Sequence, residues 1–473
     1  MPQVYEQLLS DWFHDDIGSF SDLQGAAQAH CSSVHSSMLL REVIQLNVYH
    51  GNTVYVALVD ARKAYDTVEY SSLFYKLARM NCNTVLWQVL LNFYKDFHSS
   101  VLVNGKQSSW FKVLLGVHQG APLSMKLYMA FNHDLLDALC NSRPGIGLLI
   151  SGVESPLVCP AFADDIAIIA LHKPIMQQLL DVVYVHSTKW RYDFNPRKSH
   201  VMVFGPDKCP RRTLSLGTSV IDLTTCDVHL GIPLATNNAD IQSAIVSRIS
   251  AGRQKLFACM SLGSRYSPIP PSVLSKLYWS MIIPKVIYGL ELVSLSPKCE
   301  AKLETAHLGM AKLVQGLPIS TANVASLPTL GWWSIHGYLA YKRLVMLWQI
   351  LLLPMSSVYK SVVISVLLWL DSLTNTQQCV YTGPCGLFFS TAKEYHLYHV
   401  LFKSIHSGSY VSIREWKRRV RSAIWDREKF VFTSTILIYK SIKLISSTGS
   451  YGHGGNSVNI SPSIQTDVKP SFV

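Results

Sequence analysis

Several features are missing from this sequence, and each absence narrows what the chain can be. Its ten cysteines, scattered from Cys31 to Cys385, form no C-x-x-C pair and no compact framework. Reduced, intracellular thiols are therefore expected rather than disulfide staples. The opening MPQVYEQLLSDWFHDD is acidic and lacks the apolar core of a secretion signal, so a secreted protein is not expected. The most membrane-like stretch, Leu344 to Leu370, is interrupted by Pro354 and Lys360. It never reaches the roughly 18 consecutive apolar residues of a spanning helix, so buried helices and no membrane partner are expected there. No internal repeat is visible. Acidic residues are also scarce: 30 Asp plus Glu face 42 Lys plus Arg, a net charge of +12. That balance suits a polyanionic partner.

What is present is apolar. Hydrophobic residues make up 49% of the 473 positions, and the mean hydropathy is +0.20. This composition excludes general disorder and allows large packed cores divided among two to four domains.

Ser37 to Leu46 (SMLLREVIQL) reads as an amphipathic helix. Thr53 to Val59 (TVYVALV) is a continuous β-branched run, the pattern of a strand covered on both faces, and it ends at Asp60. Ser71 to Met80 and Thr84 to Phe93 have helical periodicity. Ser100 to Val103 and Ser109 to Leu114 flank Asn104-Gly105 and predict a hairpin. A glycine-rich turn, Gly116 to Gly120, leads to Pro122 and a helix reaching about Cys140. Leu157 to Ala163 and Ile166 to Leu171 flank Asp164-Asp165 and predict a tight hairpin with the acidic pair at its tip. Pro174 opens a helix to about Trp190, Asn195-Pro196 marks a turn, and Ser199 to Phe204 is a further strand. Helical segments dominate from Ile241 to Leu353. From Ser446 the tail is rich in Ser, Gly, Asn and Pro, and disorder is expected.

Phosphoryl transfer to a strand end uses two hard cations about 3.5–4 Å apart. Mg²⁺ takes a few carboxylates and leaves its other positions to water and phosphate oxygens. Asp60 ends one buried strand, and Asp164 and Asp165 tip another hairpin. If the two pair side by side, three carboxylates converge. An Asp-Asp turn on its own is ordinary, because Asp favours turns and caps, so the surroundings decide.

Those surroundings resemble the reverse transcriptases of non-LTR (LINE-type) retrotransposons. DARKAYD (Asp60 to Asp66) looks like motif A, GVHQGAPLS (Gly116 to Ser124) like motif B, and FADD (Phe162 to Asp165) like motif C. NPRKSHVMVF (Asn195 to Phe204) looks like motif D, and His229-Leu230-Gly231 sits at the place of the primer grip. All five occur in the family's order. Weaker likeness extends to Leu23-Gln24-Gly25 and to Pro284 to Leu295, so roughly residues 20 to 350 are covered.

The resemblance implies an α+β fold: a polymerase right-hand palm, an antiparallel sheet with packed helices, preceded by incomplete fingers and followed by a mainly helical thumb-like and C-terminal region. The expected divisions are 1–50 (partial fingers), 51–205 (palm), 206–353 (thumb-like and connecting helices), 354–445 (C-terminal helices) and 446–473 (tail). It implies an RNA-directed DNA polymerase that extends a DNA primer on an RNA template with dNTPs and two Mg²⁺ ions, Mn²⁺ being the alternative, in the nucleus or cytoplasm.

Residue by residue, Asp60, Asp164 and Asp165 match the metal ligands. Asp66 matches the second, structural acid of motif A. The Ala61 backbone N–H matches a triphosphate cradle. Tyr65 matches the aromatic that excludes a 2′-hydroxyl, against the reading of an ordinary core tyrosine. Gln119 and Gly120 match the pair beside the nascent base pair, and Lys198 the proton donor to the leaving pyrophosphate.

The chain departs from the pattern at Met125, where the family has proline, and in the 59 residues before Asp60, which are fewer than a full fingers segment. An N-terminally truncated element is expected on that count. A catalytically inactive nucleic-acid-binding remnant of such an element is the competing reading, and a scaffold with no nucleic-acid partner a weaker third. Cys379, Cys385, His396 and His399 have poor metal spacing. The run Arg414, Lys417, Arg418, Arg419 and Arg421, with Trp416 and Trp425 interleaved, is either a nucleic-acid surface or a solvated helix face over buried tryptophans.

Overall fold

The computed structural model describes residues 2–448 except 19, 22, 27–29, 143–158, 207–212 and 264–268. Most of the expected tail therefore lies outside the described residues, as do residues 157 and 158 of the expected acidic hairpin. The architecture is mixed α/β in two compact units, Met1–Ile241 with Ile350–Gly386, and Gln242–Gln349 with Leu387–Val473.

The first unit begins with helices α1 (Pro2–Ile17) and α2 (Ser33–Tyr49), then strand β1 (Val54–Val59) and helices α3 (Tyr70–Arg79) and α4 (Thr84–Lys95). Four two-residue strands follow, β2 (His98–Ser99), β3 (Leu102–Val103), β4 (Lys106–Gln107) and β5 (Phe111–Lys112), and then α5 (Ser124–Ser142). Next come β6 (Ala161–Phe162), β7 (Asp165–Ala170), α6 (Lys173–Trp190), β8 (His200–Phe204), β9 (Leu214–Leu216), β10 (Ser219–Leu223), β11 (Cys226–His229) and β12 (Ile232–Ala235). The central sheet has the order β6-β7-β1-β8-β10-β9.

Every residue of β1 is buried, because α6 packs on β1 and β7 while α2 packs on β1 and β6. Two-sided cover is why this strand reads as an unbroken apolar run. α2 corrects one expectation: it is buried on nearly all sides, Arg41 and Glu42 included, rather than amphipathic. Tyr55, Ala57 and Val59 join residues of α3, α5 and α6 in one core cluster. Each fully buried Val or Leu there contributes about 1.5–3 kcal/mol.

The sheet is also not purely antiparallel as expected. β1 runs antiparallel to β7 and β8, but β10 pairs with β8 in parallel. The strands β9 to β12 between Gly205 and Ile241 carry the first unit past residue 205. The hairpin about Asn104-Gly105 forms as expected, with a two-residue loop: Val103 pairs with Lys106, and both turn residues have positive φ, 49° and 77°, as a type I′ loop requires.

The second unit is built from α7 (Asn238–Met260), α8 (Pro271–Leu277), α9 (Ile283–Ile287), α10 (Pro297–Val314), α11 (Asn323–Ser326) and α12 (Ile335–Leu351). A π-helical turn, Tyr278–Ile282, joins α8 to α9. The chain then contributes α13 (Val358–Ser372) and α14 (Asn375–Val380) to the first unit. It continues with α15 (Pro384–Glu394), α16 (Tyr398–Ser407) and α17 (Ile413–Thr448). Residues 344–370 thus form two helices broken at Pro354, and the buried Lys360 ammonium donates to the Leu353 carbonyl at 2.9 Å. Among the described residues, no helix is long and apolar enough to cross a membrane.

Candidate active site

Register brings the carboxylates to one end of the sheet. Val59 pairs with Ile166, so Asp60 leaves β1 beside the first residues of β7. Phe162 pairs with Asp165, which leaves Ala163 and Asp164 as a two-residue loop. Burial, then the charge of Asp60, holds the Asp164 carboxyl above its ordinary value, against its own backbone hydrogen bond. Burial and the charges of Asp164 and Asp60 push Asp165 up to about 6, although its side keeps an open, solvent-facing aspect. Asp164 and Asp165 therefore both feel the Asp60 charge.

Two clamps hold this end of the sheet. The first secures Asp60. Its N–H donates to the Ser199 hydroxyl at 3.1 Å, and its carbonyl accepts from Asn195 N–H at 2.8 Å. Arg62 N–H donates to the Asp193 carbonyl at 2.8 Å, and Ala61 bridges to Phe194. In that pattern Ala61 is a non-hydrogen-bonded partner, so its own N–H points away from residue 194.

The second clamp secures the Ala163–Asp164 loop. Ala163 has φ +56°, a left-handed conformation that costs a residue with a Cβ about 1–2 kcal/mol. Gln24, 3% exposed, grips both sides of this residue. Its carbonyl oxygen accepts from Ala163 N–H at 2.7 Å, and its amide donates to the Ala163 carbonyl at 3.3 Å. Leu23 and Gly25 add backbone bonds to Ala161. Strain persists where surroundings over-determine it, and here a side chain far away in sequence does so.

Tyr65 stacks on Tyr128, with centroids 5.0 Å apart and planes at 24°. The buried Tyr128 accepts a hydrogen bond from the Asn132 amide at 2.8 Å. Burial and the charges of Asp164 and Asp165 raise the Tyr65 phenol, so the ring stands next to the acids. The turn at Gly116 is tied to motif A, since Val117 N–H donates to the Tyr65 carbonyl at 2.8 Å. A Cβ on Gly116 would lie 2.9 Å from the Asp66 backbone, which explains the glycine and gives Asp66 a structural place.

Gln119 and Gly120 occupy the exposed end of this turn. Gly120 has φ +83° with open space around the position of a Cβ, so its conformation, not crowding by protein, favours glycine. Lys198 is exposed in the turn after Asn195. It makes no ion pair with the three acids among the described residues. The His229 ring is buried and pushed down to about 4 by burial and by the Arg41 charge. It closes a hairpin whose loop, Leu230-Gly231, has positive φ at both residues.

Among the described residues, no group of three or more His, Cys, Asp or Glu is arranged to enclose a metal ion by itself. Hard cations that keep most of their shell for water and phosphate need only one or two carboxylates each. The all-oxygen donors, with Asp164 and Asp165 both raised by burial and by the Asp60 charge, fit that demand.

Sequence reasoning gave no role to Asn195 and Ser199, although both lie in the stretch read as motif D, and it missed Tyr128, which nothing in its local pattern marks. Gln24 had a signal, its place in Leu23-Gln24-Gly25. Outside the site, Trp416 is fully buried and stacked on Trp348 at 3.9 Å and 8°, with its indole N–H on the Leu344 carbonyl. It cannot stack on bases. Arg418 and Arg419 pair with Glu415. Cys385 is buried, with its N–H on Glu42.

Residues 5–223 match the family "Reverse transcriptase (RNA-dependent DNA polymerase)". The chain is 26% identical over 279 residues to the RNA-directed DNA polymerase from mobile element jockey of Drosophila melanogaster, covering 55% of this chain and 27% of that one. It is 26% identical over 260 residues to the retrovirus-related Pol polyprotein from type-1 retrotransposable element R2 of Popillia japonica, covering 54% and 35%. A telomerase structure from Candida tropicalis aligns over 89% of this chain and 56% of its own at 12% identity, with a TM-score of only 0.34. Over residues 5–223, just under half of its length, the chain is similar to reverse transcriptases, and the jockey and R2 relatives are polymerases of non-LTR retrotransposons. It spans about a third or less of the two relatives' length.

Proposed function

We propose that this chain is an RNA-directed DNA polymerase that extends a DNA primer on an RNA template with dNTPs, acting in the nucleus or cytoplasm. The observation that carries this reading is the convergence of Asp60, Asp164 and Asp165 at one end of adjacent strands, where burial and the neighbouring charges raise the pKa of Asp164 and of Asp165. In this reading residues 51–205 are the palm of a right-hand polymerase, and the helices after it are thumb-like.

The three acids are the groups that would hold two Mg²⁺ ions, or Mn²⁺ in their place. When bound, such ions lower the pKa of the attacking 3′-hydroxyl and neutralise the triphosphate. The primer 3′-oxygen bonds to the α-phosphorus as the bond to the pyrophosphate oxygen breaks. The Ala61 N–H is turned away from residue 194 and available to a phosphate oxygen. Lys198, at the end of the segment that clamps Asp60, supplies a proton to the leaving pyrophosphate. Gln119 and Gly120 sit against the nascent base pair. Tyr65, backed by Tyr128, fills the space a 2′-hydroxyl would need and so selects deoxynucleotides.

The test is extension of a labelled primer on an RNA template with dNTPs and Mg²⁺. Asp164→Ala should lose about 10³-fold or more, because metal-assisted charge stabilisation is worth several kcal/mol and each 1.36 kcal/mol is a decade. No extension above that variant by the unaltered chain, with RNA binding retained, would assign the chain to the inactive remnant instead. Tyr65→Ala should raise ribonucleotide incorporation, and unchanged discrimination would remove its assigned role.

A further inference from the structure

The ribbon formed by β2 to β5 projects apolar side chains into solvent. Leu102 is 71% and Trp110 66% exposed, and Val101, Val103, Phe111 and Leu114 are exposed as well. Soluble surfaces rarely gather that many large apolar groups without a partner. The ribbon's register shows that the display is built. Leu102 pairs with Gln107 near the tip, while Ser99 pairs with Phe111 at the base. From Ser99 to Leu102 is three steps and from Gln107 to Phe111 is four, so the returning strand carries one extra residue in Ser108 to Trp110. A bulge of this kind re-aims the side chains it carries, and Trp110, 66% exposed, lies within it. Ser108 pins the strands around it, its hydroxyl accepting from Val101 N–H at 2.9 Å and its N–H donating to the Val101 carbonyl at 2.9 Å.

Charge selects the occupant. Between Asp96 and Asp134 the sequence has no acidic residue, while Lys106 and Lys112 lie on the ribbon itself. Lys106 sits at the tip, and Lys112 at the base is 3.5 Å from Asp96. Exposed aromatic planes beside these lysines, on a ribbon that bears no acid of its own from His98 to Lys112, suit a polyanion that offers unpaired flat bases. A duplex hides those faces inside its own stack. The ribbon also runs through Val113 to Leu115 into the turn that bears Gln119 and Gly120, whose base is tied to Val68 and Tyr65 by backbone hydrogen bonds.

We infer that the ribbon from His98 to Lys112 is a single-stranded nucleic-acid platform, with Trp110 and Phe111 stacking on unpaired bases and Lys106 on the backbone. The ligand class rests on the polymerase reading, but the binding test needs neither dNTPs nor metal. Fluorescence anisotropy of an unstructured oligoribonucleotide and of a matched RNA hairpin would be titrated with the full chain. The double variant Trp110→Ala/Phe111→Ala should weaken single-strand binding about tenfold and change hairpin binding less than about twofold. Lys106→Glu should reduce the salt dependence by about one phosphate contact. These side chains are exposed, so the melting temperature should not move. Unchanged single-strand affinity in the double variant, or equal loss for the hairpin, would overturn the inference. Primer extension run alongside separates the two readings. A chain that binds through the ribbon but does not extend keeps this inference and loses the polymerase. A chain that extends with unaltered affinity in the double variant does the reverse.

Discussion

In the second unit three acids, Glu291, Glu394 and Glu428, have partners close at hand. Glu291, with a side chain 5% exposed, meets Lys342 at 2.8 Å. Glu394 is held by His336 and Arg427, and Glu428 accepts from Ser334 N–H at 3.3 Å. In the first unit Asp60, Asp164 and Asp165 stand together, and the described residues bring no cation to them. Removing one partner of a buried charge is costly, so folding ordinarily pairs such groups. Where three acids are gathered and left unpaired, while the backbone around them is clamped from both sides, the polar chemistry serves something that arrives later. The second unit uses its charges to fold; the first keeps a debt of charge at one edge of its sheet.

That contrast breaks first at Trp416. If the second unit is held by packed, satisfied groups, Trp416→Ala should destabilise it by about 3–5 kcal/mol, the range for deleting a buried large aromatic. Urea unfolding followed by circular dichroism reads this directly. Arg418→Ala, on the same helix and exposed beside Glu415, should unfold at the unaltered midpoint. Equal midpoints for Trp416→Ala and the parent would mean that the Trp348–Trp416 stack does not hold the unit.

The clamp in the first unit gives a smaller effect. Gln24→Ala removes both hydrogen bonds to Ala163 and should cost about 1–3 kcal/mol. Ala163→Gly relieves the left-handed backbone, so adding it to Gln24→Ala should recover part of the loss. Thermal melts of the single and double variants check this. A double variant no more stable than Gln24→Ala alone would show that Gln24 does not hold the strained residue.

These clamps also mark where the sequence stops being readable. The run Thr53 to Val59 announces β1 because two-sided burial is written in its composition. Asn104-Gly105 announces its turn because few other residues tolerate positive φ at both positions. Asp60, Asp164 and Asp165 could be named together because each ends a legible strand or tips a legible turn. The parallel pairing of β10 with β8 was not legible, because it follows a long excursion after Gly205 that carries no pairing signal. Neither was the reach of Gln24 to Ala163 across 139 positions, nor the grip of Ser199 on Asp60 across the same separation. Trp416 was ambiguous for a similar reason: its neighbours are basic, but its stacking partner, Trp348, lies 68 positions earlier. Local composition reports what a segment does to its own backbone, while long-range partners are set by packing.

The smallest effect lies at the carboxylates and tests the contrast most directly. Asp165 is held up to about 6 by burial and by the charges of Asp164 and Asp60, whereas its ordinary value is 3.8. Between those values the folded chain keeps a proton that the unfolded chain releases, so stability falls as pH rises from about 4 through about 6. Below that window the penalty is absent. Asp165→Asn cannot ionise and escapes the penalty, so its melting temperature should match the parent near pH 4. It should exceed the parent by about 1–3 °C at pH 7, a small shift because the side chain keeps contact with solvent. Mg²⁺ at neutral pH should raise the parent's melting temperature through binding to the folded state, and raise that of Asp165→Asn less. A difference between the two proteins that is flat from pH 4 to 7, with or without Mg²⁺, would mean that Asp165 feels neither its neighbours nor a cation. The unpaired cluster would then be ordinary surface.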